Sequence, residues 1–366
     1  MKVLVKHMFF DVAVIGAGMA GLSCAQRLRQ AGYSVAVVEK SRGAGGRVAT
    51  RRVQGTRADH GARYLESQGD AVQRLIEALV DRDILKLWTD TAWEFRQGEI
   101  FSSPNSCYIA PAGMNAVGKY LAQDLEIWFG RRVQAISTTD NQMWHLSLEV
   151  TDDNLQTPQE LIAKAVVVAI PAPQALMFLN SEIGLPSDFL DKLRSVEYDP
   201  CITVMAGYPA AKQQDLSNLN PQWQAVTFRD DADLAWVGLD SSKRLESQQP
   251  VFVVHSSASF ADRHLESADL PTVGQELLDR TSEYLIPWLK QPEWLQVHRW
   301  RYAFCRHPLP VSCLAAAGTL PLVCAGDLCG EGQIEGALRS GLAAANWVNS
   351  QLQNLPLDSS LNWQYG

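Results

Sequence analysis

A β-branched, apolar run over 9–15 passes directly into Gly16-Ala17-Gly18-Met19-Ala20-Gly21 and then into helix formers over 22–31. No other feature constrains the chain as strongly. A short continuous apolar run bounded by turn glycines reads as a strand buried on both faces. The helix behind it is expected to stop at Gly32, a natural left-handed terminator. Residues 34–39, SVAVVE, supply a second buried strand, and a right-handed crossover makes the two strands parallel. These first forty residues therefore set the fold class as α/β.

The glycine spacing also carries chemistry. Gly16 allows the tight turn, Gly18 lets the backbone approach a pyrophosphate, and Gly21 lets the helix pack close to the strand. A helix opening near Met19 points free N–H groups and its positive end at phosphates, which makes Ala17, Met19 and Ala20 candidate contacts. Glu39 ends the second strand 23 positions after Gly16, where its carboxylate can accept hydrogen bonds from ribose hydroxyls. It would repel a 2′-phosphate, which favours FAD or NAD over NADP.

A second signal chooses between nicotinamide and flavin. Ser41-Arg42-Gly43-Ala44-Gly45-Gly46-Arg47 follows the acid directly, and Asp59-His60-Gly61-Ala62-Arg63-Tyr64 comes a short loop later. Gly45 and Gly46 bring backbone amides to a second face of a pyrophosphate, and Arg47 offers a guanidinium fork. The competing reading is a glycine-rich surface loop with solvated arginines. A third signal is Ala325-Gly326-Asp327 followed by a helix that includes Ile334-Glu335-Gly336-Ala337-Leu338-Arg339-Ser340-Gly341. Asp327 can accept from a ribityl chain, and the helix start is placed to face the flavin edge where charge accumulates on reduction. The competing reading there is a turn aspartate capping a helix.

Elements of both kinds are spread along the chain. Buried-strand character returns at 166–170 and 320–325, while 202–208, 235–239 and 251–256 alternate as an antiparallel sheet would. Helical rhythm is expected over 71–87, 113–125 and 335–352, and strands over 93–101, 131–136 and 144–150. The cofactor domain is therefore expected to be discontinuous, over 8–70, 105–172 and 303–355. The substrate domain, 71–104 and 173–302, is inserted into it.

Charge and composition remove several other readings. Lys plus Arg is 32 against 40 Asp plus Glu, a formal charge of -8, which opposes nonspecific binding to nucleic acid or anionic membrane. The most apolar stretch, 314–326, is broken by Gly318 and Pro321 and falls short of a span. The opening MKVLVKHMFF has no apolar h-region or cleavage site, and Met8 is an alternative start. Seven cysteines without a CxxC pair are expected as reduced thiols in a cytoplasmic protein. No HExxH, HxH or metal-type cysteine spacing is present, so no metal is expected.

On GAGMAG, RGAGGR, DHGARY and AGDLCGEGQIEGALRSG the chain resembles the flavin amine oxidase superfamily. On Pro111-Ala112-Gly113-Met114, on Ala169-Ile170-Pro171-Ala172-Pro173-Gln174 and on His298-Arg299-Trp300-Arg301-Tyr302-Ala303 it resembles renalase and its bacterial relatives. The resemblance implies a Rossmann-like FAD-binding domain of p-hydroxybenzoate-hydroxylase type with an inserted antiparallel-sheet substrate domain. It implies oxidation of NAD(P)H isomers by hydride transfer to flavin N5, with oxygen returning the flavin to its oxidised state and yielding peroxide. The FAD is expected to be noncovalent, because the Gly-Gly-Cys-Tyr context of covalent attachment is absent and Cys329 stands in a different one. Lys40, Gly61, Ala62, Val133 and Ile334 complete the candidate FAD contacts.

Hydride transfer to a flavin mostly requires orientation in a dry pocket. His298 and Trp300 are two apart and would face one side of a strand, with Arg299 and Arg301 on the other. His298 is the candidate partner of the flavin edge or a carboxamide, Trp300 the candidate ring wall, and Tyr64 a further candidate at the isoalloxazine. A core tryptophan beside a satisfied histidine remains the competing reading. Two functional alternatives stay open: an amine oxidase or desaturase on the same frame, and a flavin-free binding scaffold like the Rab GDP-dissociation inhibitors.

Overall fold

The computed structural model describes residues 8–151, 159–245, 247–318 and 320–357; the opening residues read above for a leader or an alternative start lie largely outside them. In chain order the first strands are β1 (Met8–Ile15), β2 (Val35–Glu39), β3 (Thr50–Val53), β4 (Thr56–Asp59), β5 (Lys86–Arg96) and β6 (Glu99–Ile109). Then come β7 (Glu126–Phe129), β8 (Arg131–Thr138), β9 (Trp144–Val150), β10 (Glu160–Val168) and β11 (Tyr198–Gly207). The last are β12 (Ala225–Phe228), β13 (Leu234–Leu239), β14 (Val251–Ser256), β15 (Trp294–Cys305), β16 (Leu314–Ala315) and β17 (Leu322–Cys324). The helices are α1 (Met19–Gln30), α2 (Asp70–Val80), α3 (Asn115–Leu121), α4 (Ala172–Ala175) and α5 (Ser187–Arg194). They continue with α6 (Lys212–Ser217), α7 (Ala258–His264), α8 (Leu270–Tyr284) and α9 (Gln333–Gln351).

Strands that are apolar on both sides need cover on both sides, and this requirement builds the first sheet. Its order is β16-β17-β10-β1-β2-β7, with β1 parallel to both β2 and β10. β8 and β9 extend it as an antiparallel hairpin from β10. Val12, Val14, Val37, Val167 and Val323 face a core shared with α1, α2, α3 and α9. Ala13, Ile15, Val38, Val166 and Val168 face a second core with Trp144 and Leu146 of the hairpin and Phe189 and Leu190 of α5.

The turn from β1 into α1 depends on missing side chains. Gly16 has φ +103°, and a Cβ there would lie 2.6 Å from the Ala169 carbonyl oxygen. A Cβ on Gly21 would lie 1.9 Å from the Gly16 carbonyl oxygen. Both oxygens are fixed by the sheet, so neither contact can relax without moving the helix.

The second sheet has the order β15-β11-β14-β13-β12-β5-β6. It is antiparallel except where β12 runs parallel to β5, because those two strands come from different segments of the chain. The expected strand over 93–101 is in fact a hairpin, β5 and β6, turning at Gln97-Gly98. One face packs Ile202, Val204, Phe252 and Val254 against Val273, Leu277 and Leu278 of α8. The other packs Met205, Trp236, Val251 and Val253 against Val53 and Ala58 of β3 and β4.

The spans expected on the substrate side are divided by this packing. Of 71–104, helix α2 joins the core of the first sheet, while β5 and β6 join the second sheet. Of 173–302, α4 and α5 pack under the first sheet and the strands make up most of the second. Among the described residues no helix is long and apolar enough to cross a membrane.

Gly21→Ala is expected to destabilise the fold by about 1–3 kcal/mol through overpacking against fixed backbone. Urea denaturation at neutral pH reads this as a lower midpoint with an unchanged slope.

Candidate active site

The nucleotide end of the site is built from backbone. The C-terminal end of β1 and the start of α1 meet the 41–47 loop, where Gly18 bridges Gly45 and the Gly45 amide donates to the Ala17 carbonyl at 2.8 Å. A Cβ on Gly18 would meet nothing within 4 Å, so this face of the turn opens into free space. A Cβ on Gly46 would approach the Gly18 Cα at 3.1 Å, which closes the opposite wall. Met19 and Ala20 begin α1 here and are buried. Glu39 is 8% exposed, and its carboxylate accepts the Ala17 amide at 2.8 Å on one oxygen and the Ser41 amide at 2.8 Å on the other. The acid thus ties the end of β2 to the glycine turn and keeps lone pairs for a ribose.

Arg47 stands deep in the protein, yet 34% of its side chain is accessible, so it lines an internal cleft. Its guanidinium is turned to Asp327 in a two-pronged ion pair of 2.6 and 2.7 Å and also reaches the Ala303 carbonyl at 3.1 Å. The fork expected to serve a pyrophosphate therefore joins the RGAGGR loop to the AGD loop. Burial opposes the charged form, but Asp327 more than offsets it, so the Arg47 pKa is raised.

The other candidates lie at different depths. Gly61 and Ala62 form the floor, with the Ala62 amide donating to the Arg47 carbonyl at 2.9 Å. A Cβ on Gly61 would sit 2.0 Å from that same oxygen. Val133 is buried on β8, and Ile334 lies in the first turn of α9. Lys40 is exposed, and its ammonium donates to Gln174 at 3.3 Å. Tyr64 packs near Trp88, ring centroids 6.2 Å apart, and burial raises its phenol pKa. Cys329 is fully buried, and all seven cysteines are free thiols.

The substrate end is assembled by strand register. His298 on β15 pairs with Thr203 on β11, Thr203 with His255 on β14, and His255 with Trp236 on β13. Residues directly opposite across antiparallel strands share a face, so these four form one row across the sheet. Trp300, opposite Cys201, begins the next row on the same face. His60, from the loop after β4, stacks on Trp300 at 5.3 Å and 24° and meets His298 edge-on at 4.8 Å. Trp300 Nε1 donates to the His60 carbonyl at 2.8 Å, which locks the wall. Arg299 and Arg301 point away, Arg299 to the Leu265 carbonyl and Arg301 to Glu266.

Two guanidiniums lean onto this row from the first domain. Arg51 reaches His298 Nδ1 at 3.4 Å, and Arg63 Nε donates to His255 Nδ1 at 3.2 Å. An arginine can only donate, so both Nδ1 atoms accept, and each neutral ring carries its proton on Nε2. Burial, then the neighbouring His298 and Arg51, push the His60 pKa down to about 3. Burial and Arg51 push His298 down to about 4, and burial with Arg63 holds His255 well below its usual value.

Beneath the wall lies a buried ionic cluster. Asp59 at the end of β4 and Asp240 from the short turn at 240–243 are both fully buried. Lys243 reaches Asp240 at 2.9 Å and Asp59 at 3.4 Å, and Arg244 reaches both acids at 2.8 Å. Asp59 also accepts the Thr50 hydroxyl at 2.6 Å and the Met114 amide at 2.9 Å. Burial works against its charge, and Lys243 and Arg244 restore it, so its pKa lies below the ordinary carboxylate value. With Arg51, Arg63 and Glu66 added, four cations stand against three carboxylates. Glu66, the other acid near Arg63, is held by Gln68 and Asn105 at 2.6 Å each.

His60, Arg63 and Asp59 lay within the DHGARY string without being assigned a role from sequence; Arg51, His255, Lys243 and Trp236 were not singled out at all. Glu335 was likewise quoted only as part of a motif, yet its buried carboxylate caps α2 through the Ala71 and Val72 amides at 3.2 and 2.8 Å. The residues present fit FAD. An open glycine cradle and an acid at the ribose position are among the donors and acceptors such a group needs, while the Arg47 fork itself is taken by Asp327.

A family model described as an NAD(P)-binding Rossmann-like domain matches residues 14–79, and one described as flavin containing amine oxidoreductase matches residues 80–349. Putrescine oxidase of Kocuria rosea is 37% identical over 103 residues, 28% of this chain and 19% of that protein. An L-amino-acid oxidase of Vipera ammodytes ammodytes is 33% identical over 192 residues, 50% of this chain and 39% of that protein. The chain thus covers well under two thirds of either relative. A solved putrescine oxidase, wild type bound to putrescine, superimposes with TM-score 0.70 at 15% identity, covering 94% of this chain and 100% of that one.

Asp59→Asn is expected to cost about 3–5 kcal/mol, because it leaves buried cations without their carboxylate; thermal and urea unfolding of the variant measure this. Acid is expected to destabilise the wild type from about pH 6.5 downward. His60 and His298 have folded pKa values of about 3 and about 4, below their unfolded values, so the unfolded chain binds more protons in that window. Unfolding midpoints from pH 7 to 4 should fall steadily, and the fall should be shallower in His298→Gln.

Proposed function

The chain belongs to the family of flavin containing amine oxidoreductases, and we propose that it is an FAD-dependent oxidase acting on isomeric dihydronicotinamides, the NAD(P)H isomers that the renalase-like motifs imply. Bound in the cleft, FAD supplies a two-electron acceptor that oxygen can regenerate. The protein contributes position, dryness and charge.

The observation that carries the reading is the wall of His60, His298 and Trp300 with Arg51 beside it. It offers a partly exposed Trp300 ring and two imidazoles kept neutral across the working pH range. A planar dihydropyridine ring can lie against Trp300 while His298 Nε2–H donates to its carboxamide oxygen. Losing hydride alone makes this ring an aromatic cation, so no side chain has to accept a proton. That agrees with imidazoles whose basicity has been suppressed.

Charge separates this reading from amine oxidation. A protonated amine brought to the row would meet the guanidiniums of Arg51 and Arg63, and like charges in a poorly solvated site repel strongly. A dihydronicotinamide nucleotide brings a neutral ring and an anionic tail. Family membership supports an amine substrate as a second reading, since the matching model is defined on amine oxidoreductases.

Anaerobic mixing with an NAD(P)H preparation enriched in the 2- and 6-dihydro isomers is expected to bleach the visible flavin band. Bleaching by a panel of primary amines together with none by any isomer would reverse the assignment. Trp300→Ala is expected to slow bleaching about 100-fold through misplacement of the donor carbon, while FAD content is retained; stopped-flow absorbance and the cofactor-to-protein ratio check the two halves.

A further inference from the structure

Arg63 is an unusual arginine. It is buried deep enough for desolvation to lower its pKa, yet the residue keeps part of its surface accessible. Its Nε is spent on His255, and its plane lies over the Trp236 ring, 5.2 Å from the centroid. Among the described residues no carboxylate forms an ion pair with it, and the Asp59 and Asp240 carboxylates beneath it are already engaged by Lys243 and Arg244.

His255 gives a second, independent sign of a ligand. The ring is 3% exposed, and with Nδ1 accepting from Arg63 its proton sits on Nε2. That Nε2 atom is buried and has no hydrogen-bond partner among the described residues. A buried donor without an acceptor is costly unless a ligand satisfies it. Arg63 and His255 therefore offer a charged fork and a neutral N–H, backed by Trp236 and surrounded by excess positive charge.

We propose that Arg63 and His255 form an anion-binding subsite that holds a phosphate or carboxylate group of the substrate, and that Arg63 makes this group a condition of tight binding. The proposal rests on the function proposed above insofar as it expects the anion to be the phosphate of a dihydronicotinamide nucleotide. A carboxylate-bearing donor would use the same fork. The subsite lies two strands from His298 along the row, about 10 Å at the spacing of paired strands, so it anchors a tail while the ring lies at Trp300.

The test uses FAD-loaded protein, in which the cofactor's own pyrophosphate site is filled. Inorganic phosphate and benzoate are titrated separately into wild type, Arg63→Gln and Arg63→Lys, and calorimetry and the shift of the flavin spectrum are followed. At least one anion should bind the wild type, and its Kd should rise about 10- to 100-fold in Arg63→Gln and less in Arg63→Lys. The tighter of the two anions identifies the source. Equal retention of FAD and of the unfolding midpoint in the lysine variant separates this from a folding defect. Anion binding that is absent from wild type, or unchanged in Arg63→Gln, overturns the subsite.

Flavin bleaching by the 6-dihydro isomers of nicotinamide mononucleotide and nicotinamide riboside separates the two proposals. A mononucleotide preference that disappears in Arg63→Gln supports both. Equal bleaching by both compounds, unaffected by the substitution, leaves the function standing and overturns the subsite. No bleaching by either or by the 2- and 6-dihydro isomers of NAD(P)H, with Arg63-dependent anion binding intact, overturns the function and leaves the subsite standing.

Discussion

Two buried carboxylates facing two buried cations hold the working parts of this protein in relation to one another. Asp59 belongs to the loop region that serves the nucleotide domain, and Asp240, Lys243 and Arg244 belong to the sheet that carries the aromatic wall. Taking four charges out of water is costly, and such a cluster is weak evidence of stability in its own right. Its use here is geometric. Removing any one partner would leave an uncompensated charge, so the two domains are held at one spacing. His60 and Arg63 follow Asp59 directly in the chain, so they inherit their placement from that cluster. The Lys243 ammonium also donates to the Arg63 carbonyl at 2.8 Å, which ties Arg63 to the same support.

The same logic recurs at the cofactor cleft with single long-range links. Arg47 joins two loops that are 280 residues apart in the chain through Asp327. Glu335 reaches from the first turn of α9 to the N-terminal amides of α2, where a carboxylate is favoured by both hydrogen bonding and the helix dipole. Gly341 lets α9 approach α1 so closely that a Cβ would sit 2.2 Å from the Ala20 carbonyl oxygen. The C-terminal helix is therefore fixed to α1 by backbone contact and to α2 by one buried acid.

What was legible in the sequence was whatever is encoded locally. The β1 turn and the Glu39 position follow from one strand-helix-strand unit, and in the structure the Glu39 carboxylate meets the Ala17 amide of that turn, whereas Asp327, expected to face a ribityl chain, is paired with Arg47. The period of two along β15 correctly put His298 and Trp300 on one face and Arg299 and Arg301 on the other. The partners across the strands were not legible. His255 and Trp236 join His298 only through the register of four strands separated by long connections, and no local pattern states that register. Arg47 shows the opposite limit: its residue type suited a pyrophosphate, but a buried Asp327 competes for the same fork.

The register explains how a chain of net charge -8 would hold the anionic substrate proposed for it. Long-range steering by the whole molecule would work against such a ligand, and over solvated distances salt screens that field within about 10 Å. Inside the cleft the local balance decides. Neutral imidazoles accept from Arg51 and Arg63, so the guanidiniums are oriented without being neutralised. A carboxylate in the place of His255 would have cancelled Arg63, and a protonated histidine would have repelled it. A histidine held neutral by burial does neither: it fixes the fork, adds one N–H of its own and leaves the positive charge for the ligand.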